Sequence, residues 1–274
     1  MAEATKRYAV VTGANKGIGF EICKQLASKG TIVIVTARDE CRGLQALDKL
    51  KQELNLAMSY NDNVIFHHLD LTDPNSIASL ANFIKTHFGK LDILVNNAGL
   101  LTENEELTEA CLKTNYYGPK GLTKALIPLL QFSNSPRIVN VSSTMGRLEI
   151  IPNGWPKEVL SDVQNLTEEK IDNVVNEFFK DFKEGSLETK GWPLIVSAYS
   201  VSKAALSAYT RILAKKYPSI CSNAICPGYV KTDINSNTGT LTPYEGAEPI
   251  VRLALLLDGS PSGLFFSRYE DKPF

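Results

Sequence analysis

The sequence predicts a single α/β domain built on a doubly wound parallel sheet with helices on both faces. Three observations predict it. Short apolar, β-branched runs alternate with segments of helical period along almost the whole chain. The first of these runs leads straight into a glycine-rich turn and a helix. The 274 residues hold no internal repeat, low-complexity tract or linker, which is the length of one large domain, read here as residues 5–274.

In chain order, Tyr8–Thr12 reads as a strand and Ile18–Ser28 as a helix. Thr31–Thr36, nearly all β-branched, is a buried strand. Arg42–Leu54 has helical spacing, Val64–Leu69 is a third strand, and Pro74–His87 is a helix with proline in its first turn. Leu91–Val95 is the fourth strand, Ala110–Leu130 a long helix and Arg137–Ser142 the fifth strand. Tyr199–Lys216 is another long helix, followed by the strand Asn223–Cys226, the helix Glu245–Leu256 and a last strand Gly263–Phe266. About fifty residues between the fifth strand and Tyr199 break the rhythm. Within them Leu166, Ile171, Val174, Val175, Phe178, Phe179 and Phe182 recur near helical spacing, and Thr167 suits an N-cap. Thr167–Lys183 is therefore predicted as a helix inside an insertion of about residues 147–196, lying over the sheet edge. Right-handed crossovers place the loops after the strands along one carboxyl edge, where ligands bind.

Bulk properties narrow the function classes. A formal net charge of -1 gives no nucleic-acid or polybasic membrane surface. No apolar run approaches the roughly 20 residues that span a bilayer. Met1–Lys6 is polar and lacks the apolar core of a secretion signal, so a cytoplasmic protein is expected. Cys23, Cys41, Cys111, Cys221 and Cys226 are scattered and odd in number, as in a reducing compartment. His67, His68 and His87 make no metal-ligand spacing with them, and no metal site is expected.

Directly after the first strand comes Thr12-Gly13-Ala14-Asn15-Lys16-Gly17-Ile18-Gly19. A tight strand-to-helix turn free of Cβ atoms lets backbone N–H groups approach a pyrophosphate, in the favourable field of the helix N-terminus. The second strand ends at Ala37-Arg38-Asp39. An acidic residue there accepts a ribose 2′-hydroxyl and a basic one holds a 2′-phosphate. Arg38, Arg42 one helical turn on, and Lys16 in the glycine turn are three cations that can converge on one phosphate, which selects NADPH. Small residues Asn97, Ala98 and Gly99 after the fourth strand would let the cofactor lie against the backbone.

Tyr199 and Lys203 stand at i and i+4 on one helix and share a face. Hydride addition to a carbonyl creates an alkoxide that needs a proton. A tyrosine, with an ordinary pKa of about 10, is too weak an acid for facile exchange at neutral pH unless a nearby cation favours its phenolate. Thr12–Gly19, Asn96-Asn97-Ala98-Gly99, Ser142-Ser143, Tyr199-Ser200-Val201-Ser202-Lys203 and Pro227-Gly228 occur in this order. With them the chain resembles the short-chain dehydrogenase/reductases over essentially its whole length. The resemblance implies a Rossmann-type fold and a catalytic set of Asn115, Ser143, Tyr199 and Lys203. In it Ser143 holds the substrate oxygen, Asn115 supports a water-linked proton relay, and Lys203 also binds the nicotinamide ribose. It implies adenine contacts at Asp70 and Leu71, nicotinamide contacts at Pro227, Gly228 and Val230, and Thr232 against the carboxamide or phosphates.

The wide separation of Ser143 from Tyr199 resembles the monomeric carbonyl reductase branch, including plant reductases of terpenoids and alkaloids. It implies a monomer whose insertion covers a face that other members use to dimerise. Those plant reductases carry a long flap between the Asn-Asn-Ala-Gly motif and the next helix. Here only Leu100–Thr114 intervenes, with a polar, acidic stretch Thr102–Thr108, and a more open pocket is expected. Met145, Leu148, Ile150, Ile151, Trp155, Trp192 and Tyr229 are candidates for an apolar substrate wall, which suits a lipophilic ketone or aldehyde. Two alternatives stay open: an ene reductase or cyclase-like relative acting on an enone or enol, and a non-catalytic NADP-binding protein.

Overall fold

A computed structural model describes residues 6–58, 63–102, 104–152 and 154–274, with the side chains of residues 55–58 left aside. Residue 5, the expected start of the domain, lies outside them, as do residue 103 in the acidic stretch and residue 153 in the insertion. The strands are β1 (Tyr8–Val11), β2 (Ile32–Ala37), β3 (Val64–His68), β4 (Ile93–Asn96), β5 (Arg137–Val141), β6 (Cys221–Cys226), β7 (Phe265–Ser267) and β8 (Glu270–Lys272). They form one sheet in the order β3-β2-β1-β4-β5-β6-β7-β8. Pairing is parallel from β3 through β7, and β8 alone runs antiparallel, folding back on β7. This closing strand was not read from the sequence, because Glu270-Asp271-Lys272 is polar and exposed throughout and carries no alternation. Strand order reverses between β1 and β4, and a crevice opens there at the carboxyl ends.

The pleat sorts the strand residues into two cores. Ala9, Val11, Val33 and Val35 pack with α1 (Gly17–Ala27), α2 (Glu40–Met58) and α9 (Pro243–Ala254) on one face. Val10, Ile34, Leu94 and Ile138 pack on the other face with α3 (Pro74–Phe88), α5 (Gly118–Leu130) and α8 (Ser197–Lys216). The long helix expected over Ala110–Leu130 is present but not uniform. α4 (Thr108–Leu112) runs into a π turn over Lys113–Tyr117 before α5 begins. Such a turn adds a residue to one helical circuit and is common where a helix carries a functional group.

The insertion holds two helices, α6 (Trp155–Ser161) and α7 (Glu168–Lys183). Thr167 caps α7 as expected, its hydroxyl accepting the Lys170 N–H at 3.3 Å. Ile171, Val174, Val175 and Phe178 join the same core as α5 and α8, so the insertion is part of the domain. Polar contacts fix it in place. The buried Lys120 of α5 donates to both Asp172 oxygens at 2.6 Å, and Tyr116 Oη donates to Oδ1 at 2.8 Å. Trp192 is 2% exposed, donates Nε1 to Asp181 at 2.7 Å, and meets the rings of Phe178 and Trp155 edge-on. Among the described residues, no helix is long and apolar enough to cross a membrane.

Candidate active site

Three loops meet at the crevice. In the first, Gly13 and Gly17 have φ of +62° and +56°, where a side chain would be strained. A Cβ on Gly13 would stand 2.9 Å from Ala98 Cα, and one on Gly19 would stand 2.5 Å from the Gly13 carbonyl oxygen. The β1 turn and the β4 loop are therefore pressed together, and side chains lock them: Thr12 Oγ1 accepts the N–H groups of Asn97 and Ala98, both at 2.9 Å, while Asn97 Nδ2 donates to the Thr12 carbonyl at 2.8 Å. From the third loop Thr232 comes over the turn, its Cγ2 lying 3.3 Å from where a Gly17 Cβ would be. No side chain caps α1, and Lys16 at its N-cap has extended backbone. The donors of its first turn are left for an anion, which fits a dinucleotide pyrophosphate.

The cations expected around a 2′-phosphate lie at this rim, but two of them are engaged elsewhere. Lys16 Nζ is 2.5 Å from Asp233, and Arg42 lies against Asp39, with Nε to Oδ2 at 3.7 Å. The convergence is thus not preformed. Both pairs are exposed and screened by solvent, so a phosphate can compete with them. Burial raises the Asp70 carboxyl, but hydrogen bonds from Thr72 and the nearby charge of Arg38 outweigh it and hold the group below its ordinary range. Asp70 thereby also serves its own turn, accepting Thr72 N and Oγ1 at 2.8 and 2.7 Å. Leu71 is buried against Gly118, where a Cβ would approach it to 2.7 Å. Pro227 and Gly228, the latter with φ of +94°, follow β6, and buried Val230 packs on Gly246.

α8 carries Tyr199 and Lys203 to the same edge. Lys203 is 3% exposed, donates Nζ to the Val141 carbonyl at 2.7 Å, and lies 5.6 Å from the Tyr199 ring centre. Gly99 closes on it: a Cβ there would stand 3.4 Å from Nζ and 3.6 Å from Asn115 Oδ1. The two serines after β5 divide their roles. Ser142 is buried and structural, bonded to the Lys203 carbonyl at 3.0 Å and to Ser207 at 2.8 Å. Ser143 is half-buried, begins the 3₁₀ turn Thr144–Gly146 with its Oγ accepting the Met145 N–H at 3.2 Å, and lies near enough to the Tyr199 phenol to favour its ionisation. Gly146 lets that turn settle on α8, since a Cβ would come within 2.6 Å of Lys203. Asn115 lies in the π turn, fully buried.

The electrostatics differ from the expectation drawn from spacing. Burial pushes the Tyr199 phenol up to about 12; the nearby Ser143 hydroxyl pulls it down, and Cys226 and Cys111 oppose that pull. Burial pushes Lys203 down to about 8. The ammonium that should acidify the phenol shares its low-dielectric pocket and is committed to Val141, so desolvation overrides the pairwise attraction.

Of the expected substrate wall, Leu148, Ile151 and Trp192 belong to the core, while Met145, Ile150, Trp155 and Tyr229 retain accessible surface. Leu194 and Ile195, just before α8, are further exposed apolar residues, at 62% and 73%. Val196 beside them has φ of +42°, a strained backbone for a β-branched residue. Nothing in their residue types distinguishes them from core.

A parallel sheet with a tyrosine, a lysine and a serine gathered beside a phosphate-fitted crevice defines an oxidoreductase. Comparison with known proteins places it within that class. The family profile described as short chain dehydrogenase matches residues 7–154, and one described as Enoyl-(Acyl carrier protein) reductase matches residues 186–250. The stretch between them holds α6 and α7. A (+)-neomenthol dehydrogenase from Arabidopsis thaliana is 55% identical over 299 residues, covering 100% of both chains. That alignment is longer than this chain, so the relative has residues without a counterpart here. The solved structure of salutaridine reductase from Papaver somniferum has a TM-score of 0.91 at 49% identity, covering 95% of this chain and 99% of that one. An NADPH-bound carbonyl reductase from chicken fatty liver has a TM-score of 0.70 at 26% identity, covering 100% and 96%. The chain belongs to the short-chain dehydrogenase/reductase family.

Proposed function

We propose that this protein is an NADPH-dependent carbonyl reductase that converts a lipophilic ketone or aldehyde, of terpenoid or alkaloid type, to an alcohol, with Tyr199 as proton donor. The observation that carries this reading is the meeting of Tyr199, Ser143 and Lys203 at the mouth of the crevice. The donor set suits NADPH: the uncapped α1 N-terminus and the glycine turn would hold the pyrophosphate, and Arg38, with Lys16 and Arg42 released from their partners, the 2′-phosphate. Asp70, Leu71, Asn97, Ala98 and Gly99 would line the adenosine side, and Pro227, Gly228, Val230, Thr232 and Lys203 the nicotinamide side. NADPH, when bound, supplies the hydride.

The chain's own residues do the rest. Ser143 donates a hydrogen bond to the substrate oxygen and fixes the carbonyl against the phenol. Tyr199 gives that oxygen its proton as negative charge develops. Lys203, with its pKa near 8, is mostly an ammonium at neutral pH and stabilises the phenolate left behind. Asn115 acts in the proton supply from within the π turn. We read the protein as a cytoplasmic monomer, because α7 occupies the faces of α5 and α8 and the five cysteines are unpaired. The names of the relatives support terpenoid and alkaloid carbonyls as substrates.

The test is an NADPH-oxidation screen over terpenoid, alkaloid and quinone carbonyls with identification of the product, repeated with Tyr199→Phe. An alcohol product and a loss of at least about 100-fold in kcat are expected. A saturated ketone as product, or full-rate alcohol formation by Tyr199→Phe, would overturn the reading.

A further inference from the structure

The Asn115 side chain has both of its donor hydrogens committed, with one acceptor position of Oδ1 in use. Oδ1 accepts the Leu100 N–H at 2.7 Å. Nδ2 donates to the Leu100 carbonyl at 2.8 Å and to Ser202 Oγ at 3.0 Å. Its two hydrogens are then spent. Cys111 Sγ, 3.3 Å from Nδ2, is a further weak acceptor there, and its own hydrogen goes to the Leu100 carbonyl at 3.1 Å. The amide therefore grips both backbone groups of Leu100 as a neighbouring strand would. Its remaining hydrogen goes to a hydroxyl on the catalytic helix.

Ser202 completes the link. Its Oγ accepts from Asn115 and donates to the Tyr199 carbonyl at 2.8 Å. Asn115, Ser202 and Cys111 are each fully buried, so no water replaces a lost partner. The chain of bonds runs from the loop Gly99–Leu100, which walls the crevice, through Asn115 and Ser202 to the backbone of Tyr199. Gly99, the first residue of that loop, is the one whose Cβ would touch Lys203 and Asn115. Neighbouring Ser200 is equally buried, yet its hydroxyl has no partner at all. Two serines flank the same turn of α8, and only one of them is wired to the site.

We propose that Ser202 is a positioning residue for the reduction, setting the height of the Tyr199 phenol against the Gly99–Leu100 wall through Asn115. This rests on the reading of Tyr199 as proton donor. A hydroxyl that bonds back to a carbonyl one turn earlier tilts the local helix. Here the tilt is fixed from outside by the Asn115 amide. Removing the hydroxyl frees the first turn of α8 to relax and leaves one Asn115 hydrogen with only the weak acceptor Cys111 Sγ, at 3.3 Å.

The experiment compares Ser202→Ala, Ser202→Thr and Ser200→Ala in the full chain. For each it measures kcat and KM for NADPH with a turned-over carbonyl, the melting temperature, and amide hydrogen exchange over residues 98–102 without cofactor. In Ser202→Ala, kcat is expected to fall roughly tenfold or more with KM for NADPH within about twofold, the pattern of an interaction felt at the transition state. Exchange at Leu100 should quicken. Ser202→Thr, which keeps the hydroxyl, should recover most of kcat, and Ser200→Ala should match the wild type in every readout. The proposal is overturned if Ser202→Ala keeps kcat within about twofold. It is also overturned if kcat and KM degrade together as the melting temperature falls and threonine gives no rescue, or if Ser200→Ala does the same damage. Should the wild-type chain reduce no carbonyl in the screen, the proton-donor reading fails by itself. The exchange comparison then decides the clamp: unchanged exchange at Leu100 in Ser202→Ala dismisses it.

Discussion

Replacing Lys203 with methionine should abolish turnover and yet make the cofactor-free protein more stable at neutral pH. Among the described residues the ammonium, 3% exposed, has one hydrogen bond, to Val141, and no carboxylate partner. Burial lowers its pKa from the ordinary 10.5 to about 8. At about 1.4 kcal/mol per pH unit, holding the charge in the folded state costs on the order of 3 kcal/mol. Methionine fills a similar volume without charge. It forfeits the bond to Val141, worth about 2 kcal/mol because its donor is charged. The net gain is then about 1 kcal/mol, or roughly 2 °C in melting temperature for a chain of this size.

The pH dependence makes the argument specific. Because the folded pKa of Lys203 lies below the unfolded one, the unfolded chain binds more protons between about pH 8 and 10.5, and wild-type stability from this group rises with pH through that window. The penalty is fully present below pH 8 and gone above 10.5. The methionine variant lacks this rise. Urea or thermal melts of both proteins at several pH values from about 7 to 10 should show the advantage of Lys203→Met shrinking as pH increases. A variant less stable than wild type at pH 7, by an amount that does not change with pH, would refute the reasoning.

Two further outcomes follow from the same contacts. Arg38→Asp should raise KM for NADPH by roughly tenfold or more while leaving KM for NADH nearly unchanged, since it removes the cation beside Asp70 that a 2′-phosphate would use; equal effects on both cofactors in steady-state assays would discard the assignment. Asp172→Ala removes the close partner of buried Lys120 and of Tyr116 Oη, leaving Lys120 only Glu168 at 3.7 Å. The loss should be about 2–4 kcal/mol, seen as a melting temperature lower by roughly 3–7 °C, with KM for NADPH unaffected; a drop under about 1 °C would mean that α7 is held by its apolar face alone.

What could be read from the sequence was whatever repeats locally. The β-branched runs, the glycine turn and the i, i+4 pair Tyr199/Lys203 each declare themselves within a few residues, and each stands where the spacing put it. Thr167 as the cap of α7 is of the same kind. The misses share another cause. β8 has no pattern, because an exposed edge strand needs none. The π turn adds a residue to a helix whose apolar spacing tolerates it, so periodicity runs straight through Asn115. Asp233 as the partner of Lys16 is 217 residues away, and Ser202 as the partner of Asn115 is 87 away. Contacts of that range exist only once the sheet has brought β4, β6 and α8 together. The largest miss is energetic. Spacing places a cation beside a phenol and suggests mutual stabilisation of their charged forms. The fold buries the ammonium and half-buries the phenol, and desolvation drives the phenol toward 12 and the ammonium toward 8, each toward its neutral state. In the proposed reaction, a site organised this way would hold its proton on the tyrosine until negative charge appears on a bound oxygen. Any charge then arising inside it meets little competing water, which is why the same burial that destabilises the empty pocket can strengthen stabilisation of an alkoxide.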